Sequence, residues 1–443
     1  MLDTTFRVQI RHRPDQLAKI AGAIGEQNGL IGDVTTEKLA REATIREITV
    51  EVRDDDHAQA ISDAIDAIDG VEVLWSRDRA LMRHEGGKLD IEARIEVRTL
   101  QDTRDIYTPG VARVAQAIAD DPSELARFTM TGRTVAICTN GSRVLGLGDV
   151  GPRAAMPVME GKAVFYRQFA AISAMPILID ASDPDDFVET VKRIAQTFGG
   201  IHLEDISAPA CFEIERRLID ELPIPVMHDD VHGTAVVTLA AAIVACRQVE
   251  IELREATVGQ LGLGAAGFGI AGLMVDGEVD RVLASDPNEA SHDRAREKGI
   301  EVCEPAEIMA EADVVVATTG QPGLIEADMV RDGQVILALT NPDPEIRPDD
   351  ALAAGAAFAS DGSIVNNVLG YPGIFRGALL AGAEDINLEM KLAAARAIAD
   401  LAEQSELVPD SLDPSVHEHV AEAVEEAAKS SGAARPDRVP PSL

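Results

Sequence analysis

The chain has 443 residues, 46% of them hydrophobic, with 76 acidic against 40 basic side chains and a formal charge of −36. At about 150 residues per domain this length points to roughly three domains, and the charge excludes nucleic acid and anionic membrane surfaces as partners by repulsion. Cys138, Cys211, Cys246 and Cys303 lie far apart with no C-x-x-C pair, which argues against a disulfide framework or a thiolate zinc site and fits a cytoplasmic setting. The N-terminus has no apolar signal core, and the longest apolar run, around Gly233–Cys246, falls short of the roughly 20 residues that span a bilayer, so a soluble protein is expected. Only 8 of the 40 basic residues are lysines. A carboxylate-rich, lysine-poor surface is similar to that of proteins from salt-loving organisms, where salt screens the self-repulsion.

In chain order, "TTFRVQIRH" alternates like a strand, and Pro14-Asp15 opens a helix with Leu17, Ile20 and Ile24 on one face and Gly29 as its end. "LIGDVTT" and "TIREITVEV" read as strands, "DDHAQAISDAIDAIDG" as an amphipathic helix with Ile61, Ile65 and Ile68 inward and Gly70 as its stop, and "VEVLW" as a closing strand. The order βαββαβ predicts a ferredoxin-like domain over residues 1–78. In "RHRPDQLAKIAGAIGEQNGLIGDV" the Pro14 turn and Gly29 loop resemble the ligand-facing segment of the ACT domains. That resemblance implies a regulatory module that binds a small-molecule effector or serves as a dimer contact.

The charged stretch 76–99 then leads into strands and helices that alternate from about Thr103 to about residue 370, the pattern of parallel α/β layers. Residues 79–240 are expected to hold a substrate and metal domain, 241–384 a Rossmann domain, 385–430 C-terminal helices and 431–443 a disordered tail. The Rossmann assignment rests on "ATVGQLGLGAAGFGIAGLMV", a strand followed by Gly262-x-Gly264-x-x-Gly267 and a small-residue helix. Those glycines permit a tight turn and close approach of a pyrophosphate to a helix N-terminus. "VDRVLASDP" adds a second strand ending in Asp286, where a carboxylate can hold a ribose 2′-OH and would repel a 2′-phosphate. No arginine follows until Arg294, so NAD is favoured, with NADP left open. Thr318, Thr319, Gly320 and Asn341 sit at the ends of two later apolar strands, where a cofactor cleft is lined.

A dinucleotide domain indicates redox chemistry, and the first half must then supply the reactive groups. Lys162 is the one lysine between positions 89 and 191 and lies in an otherwise apolar segment, which makes it a candidate desolvated base. Glu204-Asp205 end the apolar strand "FGGIHLED", and Asp229-Asp230 stand in "VMHDDVHGTAVV"; together they offer hard oxygens suited to Mg²⁺ or Mn²⁺. Zinc on His228 and His232 is the competing reading, but it needs His228 on a helix, and Pro225 argues for a strand end. Tyr107 precedes a Pro-Gly helix start.

"YTPGVA", "GSRVLGLGDVGPRAAMPVMEGKAVFYRQFA", "FGGIHLEDI", "CFEIERRL", "PVMHDDVHGTAVV", "ALTNPDPEI" and "IVNNVLGYPGIFRGAL" resemble, in order, the motif set of the compact prokaryotic malic enzymes over roughly residues 100–400. The resemblance implies oxidative decarboxylation of (S)-malate to pyruvate with NAD(P) and a divalent cation, in a homodimer or higher homo-oligomer. Position by position it implies Lys162 as general base, Tyr107 as general acid, Asp229 as a carboxylate beside the lysine, and Glu204, Asp205 and Asp230 as metal ligands. It places Arg143, Asn341 and Asn367 at the substrate. Two other readings stay open: a metal-independent amino-acid dehydrogenase, and a non-catalytic ACT effector sensor.

Overall fold

The structure, a computed structural model, describes residues 2–435 apart from Glu278, Ile364, Gln404 and Ser405, with the side chain of Leu145 also left aside. It divides into two compact units, Met1–Asp90 and Ile91–Leu443.

The first unit contains β1 (Leu2–Arg11), α1 (Gln16–Glu26), β2 (Leu30–Leu39), β3 (Ala43–Val52), α2 (Asp55–Asp66), β4 (Val71–Asp78) and α3 (Arg79–His84). Its sheet is antiparallel in the order β2-β3-β1-β4, the ferredoxin-like arrangement read from the sequence. Period-two burial puts Phe6, Val8, Ile10, Ile48, Val50 and Val52 on one face, packed against Ile20, Ile24, Ile61 and Ile65 of the helices. Two details differ from expectation. Leu17 points outward, and Gln16 is buried in its stead with its side-chain amide donating to the Asp69 carbonyl at 3.1 Å. The left-handed residue after α1 is Asn28 at φ 63°, which tolerates that conformation. Gly29 is needed for packing instead, since a Cβ there would lie 2.8–2.9 Å from Val50, Ile24 and Ile61.

The second unit opens with α4 (Leu100–Ile106), α5 (Val111–Asp120) and α6 (Leu125–Phe128), none of which contains a buried residue. A four-stranded parallel layer follows: β5 (Thr134–Thr139), α7 (Gly151–Ala170), β6 (Ser173–Leu178), α8 (Pro184–Ile194), β7 (Gly200–Leu203), α9 (Ala210–Glu221) and β8 (Val226–His228), with strand order β6-β5-β7-β8. The chain then enters α10 (Thr234–Gln248) through a wide π-type turn at Asp229–Gly233. Turn and helix together form a continuous helix, Asp229–Gln248, of 20 residues, apolar enough to cross a membrane by length and composition alone. This corrects the expectation that the run is too short. The helix lies 78% buried inside the protein over its most apolar window, so it serves as a core helix.

The second layer comprises β9 (Thr257–Leu261), α11 (Ala265–Asp276), β10 (Arg281–Ser285), α12 (Ala290–Glu297), β11 (Glu301–Val302), α13 (Pro305–Glu311), β12 (Val314–Ala317), β13 (Val335–Ala338), α14 (Pro348–Ala353) and β14 (Phe358–Asp361). Its six parallel strands run β11-β10-β9-β12-β13-β14, the doubly wound order of a dinucleotide fold. After α15 (Tyr371–Ala381) come α16 (Leu388–Leu401) and α17 (Pro414–Ser431). Gly373 and Gly377 let α15 press onto α17, because a Cβ at either would meet Val420 or Val424 at 2.7 Å. Residues 431–435, expected to be disordered, are held: Ala434 pairs with Ala383, and Arg435 forms an ion pair with Glu384. The rest of the expected tail, 436–443, lies outside the described residues.

Candidate active site

In an open parallel sheet a site forms beyond the carboxyl ends of the strands where the winding reverses, here between β5 and β7. Glu204 and Asp205 follow β7, Asp229 and Asp230 follow β8, and α7 brings Lys162 across the same edge. All of them except Asp229 line a cleft of about 710 Å³ that continues over Leu263–Gly267, Asp286, Thr318, Asn366, Asn367 and Tyr371.

The centre of the site is a buried ion-pair network. Lys162 Nζ lies 2.6 Å from Asp229 Oδ2 and 3.0 Å from Glu204 Oε1, and 4.6 Å from the centre of the Tyr371 ring. Asn367 donates to the same Asp229 Oδ2 at 2.7 Å. Burial alone would push the Lys162 pKa down, but Asp229 and then Glu204 outweigh it and hold the ammonium well above its ordinary value. Burial pushes the Asp229 carboxyl up to about 6 against the pull of Lys162.

Beside this pair, Glu204, Asp205 and Asp230 each bring a carboxylate oxygen within 4.8 Å of the others. Burial pushes Glu204 up to about 8 despite Lys162, and burial together with Glu204 and Asp230 pushes Asp205 to about 8. Asp205 Oδ2 is buried without a hydrogen-bond partner. Three crowded carboxylates with an orphaned oxygen are short of positive charge, and their hard donors fit Mg²⁺ or Mn²⁺. Asp205 reaches this position at φ 53°, an uncommon conformation for a side-chain-bearing residue. Its backbone N–H donates to Asp230 Oδ2 at 3.0 Å, and its carbonyl accepts from the Arg143 N–H at 3.1 Å. Arg143 itself lines the cleft.

The histidines take supporting places. His228 ends β8 in extended conformation and is fully buried, and His232 Nε2 is engaged by Glu215 Oε2 at 3.1 Å, so the two do not converge on one ion. Glu215, buried beneath the π-type turn, also accepts from the His228 N–H at 2.7 Å. His202 went unnoticed in the sequence although it stands two residues before Glu204 on the same strand face. Its Nε2 is 2.6 Å from Glu204 Oε2 and its Nδ1 is 2.8 Å from the Tyr166 hydroxyl. Burial drives its pKa down to about 3, so the ring is neutral and orients Glu204.

On the dinucleotide side the three glycines do different work. Gly262 stands at φ 91°, a Cβ on Gly267 would overlap the Gly262 carbonyl, and Gly264 faces open space. Asp286 accepts from the Leu263 N–H at 2.6 Å and the Asn288 N–H at 2.7 Å, fixing the loop that precedes α11. Thr318 lines the cleft. Thr319, Gly320 and Asn341 are tied to neighbouring loops. The Thr319 N–H and hydroxyl both donate to Glu345 Oε1 at 2.7 and 2.8 Å, the Gly320 N–H donates to Thr340, and the Asn341 amide donates to Gly362. Glu345, fully buried and also bound by the Thr340 N–H and hydroxyl, is the tie that the sequence did not reveal. Tyr107 is not brought to this cleft; it caps α4 and is 69% exposed.

Comparison with known proteins agrees with this geometry. The malic enzyme N-terminal domain family matches residues 93–219, the malic enzyme NAD binding domain family residues 306–431 and the ACT domain family residues 1–75. The NADPH-binding domain family of acetohydroxy acid isomeroreductase also matches residues 252–334. "NAD-dependent malic enzyme 1" of Bacillus subtilis strain 168 is 49% identical over 96% of this chain and 97% of its own. "NAD-dependent malic enzyme" of Geobacillus stearothermophilus is 40% identical over 99% and 97%. The crystal structure of malic enzyme from Pyrococcus horikoshii, 36% identical, superposes with a TM-score of 0.76 over 81% of this chain and 91% of that one. With its buried lysine, its carboxylate triad and its doubly wound cofactor layer, this chain belongs to the malic enzyme family.

Proposed function

We propose that Lys162 and a divalent cation held by Glu204, Asp205 and Asp230 carry out the oxidative decarboxylation of (S)-malate to pyruvate and CO₂, the family's reaction, with NAD(P) reduced. The observation that carries this reading is the buried Lys162–Asp229 pair standing beside three converging carboxylates at the mouth of a dinucleotide cleft. A metal-independent amino-acid dehydrogenase would have no use for that triad.

NAD(P), when bound, would supply the hydride acceptor for C2 of malate, and Lys162 Nζ would take the proton of the C2 hydroxyl. A cation held by Glu204 would take away one of the two carboxylates that keep the lysine charged and leave Asp229 as its partner. Asn367 and Lys162 share Asp229 Oδ2, which fixes the amine at one point of the cleft. The 2-oxo acid so formed then loses its C4 carboxylate as CO₂, and the electron pair left on C3 takes a proton. The bound cation would act as a Lewis acid toward the C2 oxygen in both steps. Arg143 and Asn367 line the same cleft and are the groups we assign to the substrate carboxylates.

Tyr107 is the assigned acid for C3, and its exposure points to a homodimer. From Ile91 to Met130 no described residue is buried, although α5 is amphipathic, and Leu100, at the start of the helix that Tyr107 caps, is 85% exposed. A second copy that covers this arm would bury Tyr107 and could bring it to a cleft. The N-terminal unit supports a further contact between copies or an effector site, since β2 is exposed along its whole length. Four free cysteines, three of them buried, are in keeping with a cytoplasmic protein. The test is steady-state NADH formation from (S)-malate. Lys162→Ala abolishes it while nucleotide binding persists, and excess chelator stops the wild type; undiminished turnover in chelator would overturn the metal assignment.

A further inference from the structure

One cation in the cleft has no part in this scheme. Arg294, on α12, lines it together with Asp286, Asn288 and Ser291. Its guanidinium lies against two rings that meet edge to face, 4.2 Å from the Phe212 centre and 4.7 Å from that of Phe268. Among the described residues it forms no ion pair, and its Nε is buried without a hydrogen-bond partner. The Nε group, taken from water without an acceptor, leaves hydrogen-bonding capacity in the cleft that a ligand could use. The two ring contacts hold the guanidinium at the cleft wall, and a guanidinium held against aromatic rings is suited to a phosphate.

The identity of the phosphate follows from the neighbours. Asp286 ends β10, the second strand of the dinucleotide layer, where the adenosine ribose sits. Read along the chain, Asp286 repels a 2′-phosphate and Arg294 is too far away to help. In the fold α12 returns Arg294 to the same end of the cleft. Both Asp286 oxygens already accept backbone N–H groups, from Leu263 and Asn288, and these donors offset part of its charge. We propose that Arg294 is an anion receptor for the 2′-phosphate of NADP, so that the cleft accepts both dinucleotides and Arg294, opposed by Asp286, sets their ratio. The proposal rests on the dinucleotide reading of this cleft and not on the substrate assigned to it.

Calorimetric titration of the full-length protein with 5′-AMP and with 2′,5′-ADP tests it without malate or metal. The wild type binds both. Arg294→Gln weakens 2′,5′-ADP by about tenfold or more, the loss of a charge-assisted hydrogen bond, and 5′-AMP by less than about threefold. Asp286→Asn strengthens 2′,5′-ADP. An equal loss on both ligands would make Arg294 a clasp between α9 and α11 or a contact to the phosphate common to the two, and unchanged 2′,5′-ADP affinity would remove it from the site; either result overturns the proposal. Should Arg294→Gln fail to fold, Arg294→Lys, which keeps the charge and loses the fork, is expected to lie between wild type and loss, and wild-type affinity for 2′,5′-ADP in that variant refutes a role for the fork. Binding of neither nucleotide by the wild type would instead defeat the cofactor reading of the whole cleft.

Discussion

Gly233 is the position where a single methyl group should separate the lysine from its carboxylate. It ends the π-type turn, and a Cβ added there would overlap Asp229 Oδ1 and lie 2.8 Å from Asp229 Cγ. Carbon atoms in contact settle at about 3.5–4.0 Å, so the carboxylate or the turn must move by roughly 1 Å. The Asp229 carboxylate has little room, because its other oxygen is bound by Lys162 at 2.6 Å and Asn367 at 2.7 Å. A displacement of about 1 Å at a reacting group costs on the order of 100-fold in rate. If the shift breaks the buried pair outright, stability falls by about 3–5 kcal/mol. Gly233→Ala is therefore expected to lower kcat for malate oxidation about 100-fold and to reduce the melting temperature. Gly22→Ala is the matching control: it sits in α1 with nothing within 4 Å of the added Cβ, and should add about 0.5–1 kcal/mol to the N-terminal unit. A Gly233→Ala enzyme with kcat within about threefold of wild type would refute the reasoning that Asp229 must stand where it does.

Three further outcomes follow from the same contacts. Glu345→Gln leaves two threonine hydroxyls and two N–H groups competing for one amide oxygen, so the strand ends at Thr319 and Thr340 loosen; KM for the dinucleotide should rise about tenfold or more with a smaller change in kcat, measured by initial rates. Glu215 is held down to about 2 because His232 and its hydrogen bond outweigh burial. A depressed carboxyl contributes stability that is present above its unfolded pKa near 4.5 and is lost as pH falls toward about 2, so acid denaturation followed by circular dichroism should show about 3 kcal/mol of this dependence in the wild type and not in Glu215→Gln. If Tyr107 serves a partner's cleft, mixing inactive Tyr107→Phe and Lys162→Ala proteins under subunit exchange restores about a quarter of wild-type activity; no recovery would confine each site to one chain.

The parts of this molecule visible in the sequence are those whose determinants are local. Alternation in β1 and β3, the small-residue helix after Gly264, and carboxylates at the ends of β7 and β8 all announce themselves within a few residues. The exceptions share one cause, contacts made across the fold. Glu345 answers to Thr319, 26 positions earlier, and accepts from its N–H and hydroxyl. Gln16 displaces Leu17 from the core because a carbonyl at Asp69 waits for its amide. Arg294 looked remote from Asp286 until α12 brought its guanidinium against Phe212 and Phe268 at the same cleft. His202 could have been found, since strand periodicity places it beside Glu204. Tyr107 could not be placed by any property of one chain, because nothing in the arm around it is buried.

The most direct test of the central claim is the stoichiometry of products from (S)-malate. With Mn²⁺ and NAD present, NADH and CO₂ should appear in a one-to-one ratio, and both should vanish together on chelation or in Lys162→Ala. NADH formed without CO₂, or either product formed undiminished in the metal-free protein, would contradict the assignment of Glu204, Asp205, Asp230 and Lys162 to a decarboxylating site.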